Sequence, residues 1–547
     1  MRRNASKLIA DAAYAISALQ NLSGYFGRIL TEGDCREYVR RSLDSRDSNF
    51  LRLAKNLIYE TSWSPFLPLL NAAGCEYRDL EAMVRQRGLE GTLTELAQAG
   101  VRLSFEQFRG RTEVVRGSHS FRFGFQDFDN PQGRKLLQDR TGGTRSVGLP
   151  VAMSLDDVAA KSHSFRYAVQ ALRALDKVPI IWHTGLRIPQ LLRFAKLGFP
   201  PERWFSLRDP QLEGPRPMTF IRSARVMAFL KGLRLPPVEY APLDAVDVVL
   251  RAVLKAASKK SGCLLSTTPS LAVRLAGLAR VKGVSLERVT FLANGEPLTP
   301  GKAAEICVTG ATVGSMYAFA EGGVVAIPCG HPIEVDDMHF LADCYGVIQT
   351  DREYAGIPIK SYTFTTLLET APKIMLNVEL DDFGVLEPRR CGCALEAVGY
   401  DVHMANVRSF TKLTGEGMTV LGTNCVQIIE EVLPAAFGGS SVDYQLLEAE
   451  DEGHLTRLLL LVSPRLEQVD GDAVRRRFIS ALEKADWREG MPDHWRKAQT
   501  IQVLRQEPVV TKSGKLFPFH TIALSAVDGA AQPHRPPVQP AGAGERQ

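Results

Sequence analysis

The sequence predicts an α/β protein with one large and one small folded domain, on three observations. From about residue 121 to 400 short β-rich runs alternate with helical stretches; residues 1–110 carry helical periodicity instead; and beyond about residue 405 a few apolar runs surround a single amphipathic helix. A chain of 547 residues, 45% of them hydrophobic, holds enough apolar material for more than one core.

The N-terminal stretch is helical because "LEAMVRQRGLEGTLTELAQAG" (80–100) repeats apolar residues every three or four positions and stops at Gly100, a residue suited to a helix C-terminus. Strand, helix, strand, helix, strand follow in "VPIIWH" (178–183), "LDAVDVVLRAVLKAASKK" (243–260), "CLLSTT" (263–268), "PSLAVRLAGLARVKG" (269–283) and "RVTFLANGE" (288–296). That rhythm implies a mostly parallel sheet covered by helices, with ligands at the carboxyl ends of its strands. The last elements, "HLTRLLLLVSPR" (454–465), "DGDAVRRRFISALEKA" (470–485) and "QTIQVLRQEPVVTKSGKLFPF" (499–519), make a small α+β unit. The expected division is a helical segment packed on the core over 1–120, a core domain over 121–405, a small domain over 406–525, and a disordered Pro/Ala/Gly-rich tail over 526–547.

Charge and cysteine content exclude several classes. A net charge of +5, from 66 basic and 61 acidic residues without a dominant basic block, gives no footprint for nucleic acid or a membrane surface. No uncharged apolar stretch of about 18 residues spans a membrane, and the N-terminus has Asp11 inside its apolar run, so the expected location is the cytoplasm. Nine cysteines are too sparse for a disulfide framework and are expected to be reduced.

The chemistry-bearing stretches are "QDRTGGTRSVGLPVAM" (138–153), "FLANGEPLTP" (291–300), "MYAFAEGG" (316–323), "IMLNVELDDFGVLEP" (374–388), "KLTGEGMTV" (412–420) and "VVTKSGKLF" (509–517). The first is a glycine- and hydroxyl-rich loop without the Gly-Lys-Ser/Thr ending of a kinase-type phosphate loop. Its backbone N–H groups and hydroxyls suit an anion, but most such loops simply turn.

In their order and separations these stretches resemble the adenylate-forming superfamily of acyl-CoA synthetases, and within it the phenylacetate–CoA ligase-like branch, over residues 120–525. The resemblance implies a large adenylating domain of mixed or parallel sheets and helices with a small mobile α+β domain. It implies ATP, Mg2+ and a small-molecule carboxylic acid as reactants, with coenzyme A or a carrier-protein or protein-cysteine thiol as acceptor. Thr141, Gly142, Gly143, Thr144, Arg145 and Ser146 resemble the triphosphate loop, with Thr144 beside the reaction; Arg145 and Ser146 depart from the usual Thr-Thr-Gly or Thr-Ser-Gly continuation. Gly295, Glu296 and Pro297 resemble the stretch over adenine, and a turn set by Pro297 is the plain alternative. Tyr317 and Ala318 resemble the start of a Tyr-Gly-x-Thr-Glu signature whose glutamate, Glu321, is expected to hold Mg2+; Ala318 and Ala320 replace the usual Gly and Thr. Asp382, or Asp381 beside it, is expected at the ribose, Arg408 resembles the hinge arginine, and Lys515, with Lys512 as alternative, resembles the lysine that reaches the carboxylate and α-phosphate.

Cys329 and His331 in "IPCGHP", with Cys391 and Cys393 in "RRCGCAL", have the ligand types of a closed four-coordinate zinc site, and the resembled branch often carries such a cluster. His339 is the alternative fourth ligand; the plain alternative is a set of buried thiols with His331 bonded to backbone. The helical N-terminal segment either shapes the acid pocket or makes a homodimer contact. A fold kept as a nucleotide-binding or interaction module without turnover is the reading from a different class.

Overall fold

A computed structural model of the chain describes residues 2–132, 137–140, 150–259, 261–354, 357–409, 412–415, 418–421, 428–440, 443–450, 455–466, 469–484, 500–509 and 519–521. The expected helices lead: Arg2–Tyr25, Glu32–Asp44, Arg46–Ala54 and Tyr77–Gln98. Gly100 follows the last of them at φ +92°, a conformation glycine adopts without steric cost, and Val101 N–H closes the turn on Leu96 O at 2.8 Å. Gly88, at φ +70°, breaks that helix in the middle, which its periodicity did not reveal.

Twelve strands form one sheet: β1 (Val178–His183), β2 (Arg203–Ser206), β3 (Val238–Tyr240), β4 (Cys263–Thr267), β5 (Val289–Asn294), β6 (Thr312–Phe319), β7 (Gly323–Pro328), β8 (Met338–Phe340), β9 (Tyr345–Tyr354), β10 (Ile357–Thr366), β11 (Val378–Pro388) and β12 (Val402–Ser409). Their spatial order is β9-β10-β11-β12-β8-β7-β6-β5-β4-β1-β2-β3. From β3 through β6 every pairing is parallel; from β6 to β9 every pairing is antiparallel. The α/β expectation holds, and the sheet is mixed rather than mostly parallel because consecutive strands from β6 onward need no helical crossover.

The parallel half is buried on both faces. Alternate side chains of β4 divide between two cores, Leu264 on one side and Cys263 and Leu265 on the other, and Ile181 and Trp182 of β1 divide likewise. Thr268 caps the helix Pro269–Val281 and Thr299 caps Pro300–Cys307, each followed by proline at the first helical position. The N-terminal helices belong to the same core as the antiparallel half, which runs from Ala18 to Met404. Asn377 fastens them: its Nδ2 donates to Leu93 O at 2.8 Å and Val101 O at 3.1 Å, while Leu103 bridges to Val378 at the start of β11.

The small unit has four strands, β13 (Tyr444–Glu450), β14 (Thr456–Val462), β15 (Ile501–Arg505) and β16 (Phe519–Thr521), in the order β15-β14-β13-β16. Its own core joins Tyr444, Leu458, Leu460, Phe478 and Leu482, the last two from the helix Gly471–Lys484. Among the described residues no helix is long and apolar enough to cross a membrane.

Candidate active site

Register brings the motifs of β5 and β6 to one edge. These strands are parallel with Met316 opposite Asn294, so Gly295 leaves β5 level with Tyr317 near the end of β6. Gly295 sits at φ +90°, and a Cβ there would lie 3.5 Å from Arg187 Nη2, in the loop that follows β1. Carboxyl ends of parallel strands are where α/β sheets hold ligands.

Tyr317 reaches sideways to the antiparallel half. Its hydroxyl donates to Asp382 Oδ2 at 2.6 Å. Burial, then the Asp382 carboxylate and more weakly Tyr362 and Glu321, push its ionisation well above the ordinary tyrosine value, so it remains a donor. Asp382 lies where β11 bulges: Asp381 adopts φ +64°, Ser409 Oγ donates to Asp381 O at 3.0 Å, and the pairing slips between Phe383 and Val385. Arg408, opposite Phe383, turns to Asp336, with Nη1 3.2 Å from Oδ2. Ala318 is exposed beside a second register slip, between β6 and β7.

Glu296 does not offer its carboxylate to a ligand. It accepts from Ser270 N–H at 3.0 Å and Ser270 Oγ at 2.7 Å, at the start of the helix Pro269–Val281, and from Lys302 Nζ at 3.2 Å. Burial alone would raise its pKa, yet Lys302 and the Ser270 bonds hold it below the usual carboxylate value. Lys302 also donates to Thr456 Oγ1 at 2.6 Å, so this buried pair touches the first residue of β14 in the small unit. The backbone of Gly295 to Pro297, not the Glu296 side chain, is what this stretch can present.

Glu321 is likewise engaged. Its Oε1 accepts from Arg109 Nη2 at 2.5 Å, and both side chains are nearly inaccessible, 3% for Arg109 and 4% for Glu321. The next carbonyl, Gly322 O, receives both Lys161 Nζ and the Tyr345 hydroxyl, and Lys161 is itself paired with Asp157 at 2.5 Å. A Mg2+ ion at Glu321 does not fit a carboxylate enclosed in this way.

Thr141, Gly142, Gly143, Thr144, Arg145 and Ser146 lie outside the described residues; the segments flanking them pair antiparallel, Arg140 opposite Pro150. Lys512 and Lys515 lie outside them too.

Sequence reasoning passed over His183, at the carboxyl end of β1. It is buried, its Nε2 3.5 Å from Ser266 Oγ on the neighbouring β4 and 3.5 Å from Asn294 Nδ2 on β5, one strand further, and among the described residues neither its Nδ1 nor the buried Thr267 Oγ1 has a partner. Burial, and secondarily Arg187, hold its imidazole neutral. The signal was present: histidine ending an apolar strand run, with "STT" ending another.

The thiol cluster is where the structure corrects an assignment. Cys329, His339, Cys391 and His403 bring one ligand atom each to within 4.8 Å of one another, and Cys393 Sγ lies 3.2 Å from His339 Nε2. His331 is not among them; it is exposed, with Nδ1 2.9 Å from Cys391 O. The reason is register: His339 of β8 stands directly opposite His403 of β12, which sets the two rings 4.0 Å apart and tilted by 49° beside the cysteines. His403 Nδ1 is held 2.8 Å from Asp337 Oδ1 while its Nε2 has no partner among the described residues, the arrangement of a carboxylate-oriented metal ligand. The two thiols and two imidazoles of Cys329, Cys391, His339 and His403 have the number and types of donors a four-coordinate structural zinc takes, and its chemistry there would be to crosslink the loops after β7 and β11 to β8 and β12.

A scan of protein-family models finds no match to the chain, and no curated protein sequence matches it. Solved structures do. An amide bond synthetase from Marinactinospora thermotolerans is 13% identical over 94% of this chain and 99% of that one, with a TM-score of 0.39, and an anthranilate-CoA ligase bound to anthranoyl-AMP is 12% identical over 72% and 67%, at 0.32. A 2-hydroxyisobutyryl-CoA ligase, solved with 2-HIB-AMP and CoA in the thioesterification state, is 12% identical over 88% of this chain and 91% of that one, with a TM-score of 0.51. That last likeness speaks for the fold, and the chain is similar in fold to a CoA ligase across nearly the whole of both molecules.

Proposed function

We propose that the protein is an AMP-forming acid–thiol ligase. A carboxylate oxygen attacks the α-phosphorus of ATP and the bond to pyrophosphate breaks, giving an acyl- or aryl-adenylate. A thiol sulfur then attacks the acyl carbon, AMP departs, and the thiol proton passes to solvent. Coenzyme A is the acceptor in this reading, with a carrier-protein or protein-cysteine thiol as the alternative.

The observation that carries the proposal is the Tyr317–Asp382 hydrogen bond, which joins two separate motifs of the resemblance at the edge reached by Gly295. Asp382 is assigned to the ribose hydroxyls, a task for an acceptor-only carboxylate, and Tyr317 to orienting it. The backbone of Gly295, Glu296 and Pro297 is assigned to adenine, Thr141 to Ser146 to the β- and γ-phosphates with Thr144 nearest the reaction, and Lys515 to the carboxylate and α-phosphate, where a fixed cation offsets charge that develops at phosphorus. Arg408 is assigned to the hinge between the domains.

Product analysis tests this reading: ATP, an acid and coenzyme A should give AMP and a thioester in equal amounts by mass spectrometry. ADP as the nucleotide product would refute it. The engaged Glu321 and the substitutions Ala318 and Ala320 favour a second reading, a nucleotide-binding module without turnover, which binds ATP and forms neither product.

A further inference from the structure

Glu321 and Arg109 are 212 residues apart in sequence and form one of the most enclosed ion pairs of the large domain. The Arg109 guanidinium lies between two aromatic rings, 4.9 Å from the centroid of Phe105 and 5.0 Å from that of Phe125. Stacking plus a carboxylate partner is the setting in which a buried guanidinium is best tolerated. The turn that carries Glu321 is also fixed from behind. Gly322 O holds two donors, and a Cβ on Gly322 would come within 2.5 Å of Phe319 Cε2 and 2.8 Å of Tyr345 Oη, so the carboxylate has little freedom to swing to a new partner.

Mg2+ requires near-octahedral oxygens and gives up its waters reluctantly. Placing it on Glu321 would bring two further positive charges beside a buried guanidinium that cannot neutralise itself. We propose that Glu321 is a positioning residue that anchors Arg109 and not a metal ligand. Arg109, delivered by the N-terminal segment, engages the carboxylate that a metal ion would need, and a divalent ion entering with the nucleotide is carried by groups other than Glu321. This inference rests on the nucleotide-binding reading above and gives the N-terminal segment a part in the site.

The test is Mn2+ binding to the full-length protein saturated with α,β-methylene-ATP, with free Mn2+ read by electron paramagnetic resonance. Glu321→Gln is nearly isosteric and its amide oxygen still accepts from Arg109, so the half-saturating Mn2+ concentration should change by less than about threefold. Arg109→Gln and Glu321→Gln each leave one buried charge without its opposite, whereas Arg109→Gln/Glu321→Gln leaves neither. In urea unfolding the double variant should therefore lose less stability than the sum of the two single losses. A loss of Mn2+ affinity of threefold or more in Glu321→Gln, or stability losses that simply add in the double variant, overturns the inference while leaving the ligase reading intact. A wild-type protein that binds no α,β-methylene-ATP overturns both.

Discussion

Tyr317 Oη and Asp382 Oδ2 stand 2.6 Å apart, tying β6, the last strand of the parallel half, to a bulge in the antiparallel half. Removing the donor leaves a buried carboxylate oxygen one hydrogen bond short, which costs about 1–3 kcal/mol. Tyr317→Phe should therefore lower stability by that amount in urea unfolding. Asp382→Asn, which keeps the shape and loses the charge, should weaken ATP binding about tenfold at little cost in stability. A Tyr317→Phe protein as stable as wild type would mean that the contact is not formed in solution.

Lys302 and Glu296 are buried together, with side-chain exposures of 1% and 0%. Breaking such a pair by Lys302→Met strands a charge and should cost about 3–5 kcal/mol in urea unfolding at pH 7. The pH dependence has a definite sign. Glu296 has a folded pKa below its ordinary 4.5, so its contribution is complete above that value and is lost as pH falls through the folded one. The stability gap between wild type and Glu296→Gln should shrink on acidification from pH 7 to below 4.5; a gap that widens would contradict the assignment.

Zinc should be present at about one per chain in protein purified without chelator, as expected of a closed thiolate site. Cys391→Ser and His339→Ala should lose it, and His331→Ala should keep it. Metal analysis in which His331→Ala empties the site and His339→Ala does not would restore the arrangement expected from sequence.

Much of the parallel half was legible in the sequence because a strand buried on both faces must be continuously apolar: "CLLST" and "VTFLAN" have no exposed residue. The antiparallel half was harder to read, since its strands are defined by pairing partners far along the chain and its bulges by backbone angles such as that of Asp381. The same limit explains the histidine exchange. "IPCGHP" places His331 two residues from Cys329 in sequence and leaves His339 as the alternative, whereas strand register is what brings His339 and the unforeseen His403 together in space. Likewise the types Glu296 and Glu321 were readable as carboxylates in ligand-like motifs, but not their partners: Lys302, Ser270 and Arg109 arrive from other elements.

Lys515 is assigned to the chemical step alone. Lys515→Ala should reduce acid-dependent exchange of pyrophosphate into ATP by at least about a hundredfold while leaving ATP binding within about twofold, as expected for a group that acts on developing charge. Calorimetric titration of ATP alongside the exchange rate checks both halves; unchanged exchange would remove Lys515 from its role.

The most direct measurement of the ligase reading is that exchange itself, performed on wild-type protein with labelled pyrophosphate, ATP, Mg2+ and a broad panel of carboxylic acids. Exchange that appears with at least one acid and vanishes when the acid is withheld is the expected result. No exchange with any acid, from a protein that still binds ATP, would contradict carboxylate activation and leave a nucleotide-binding module.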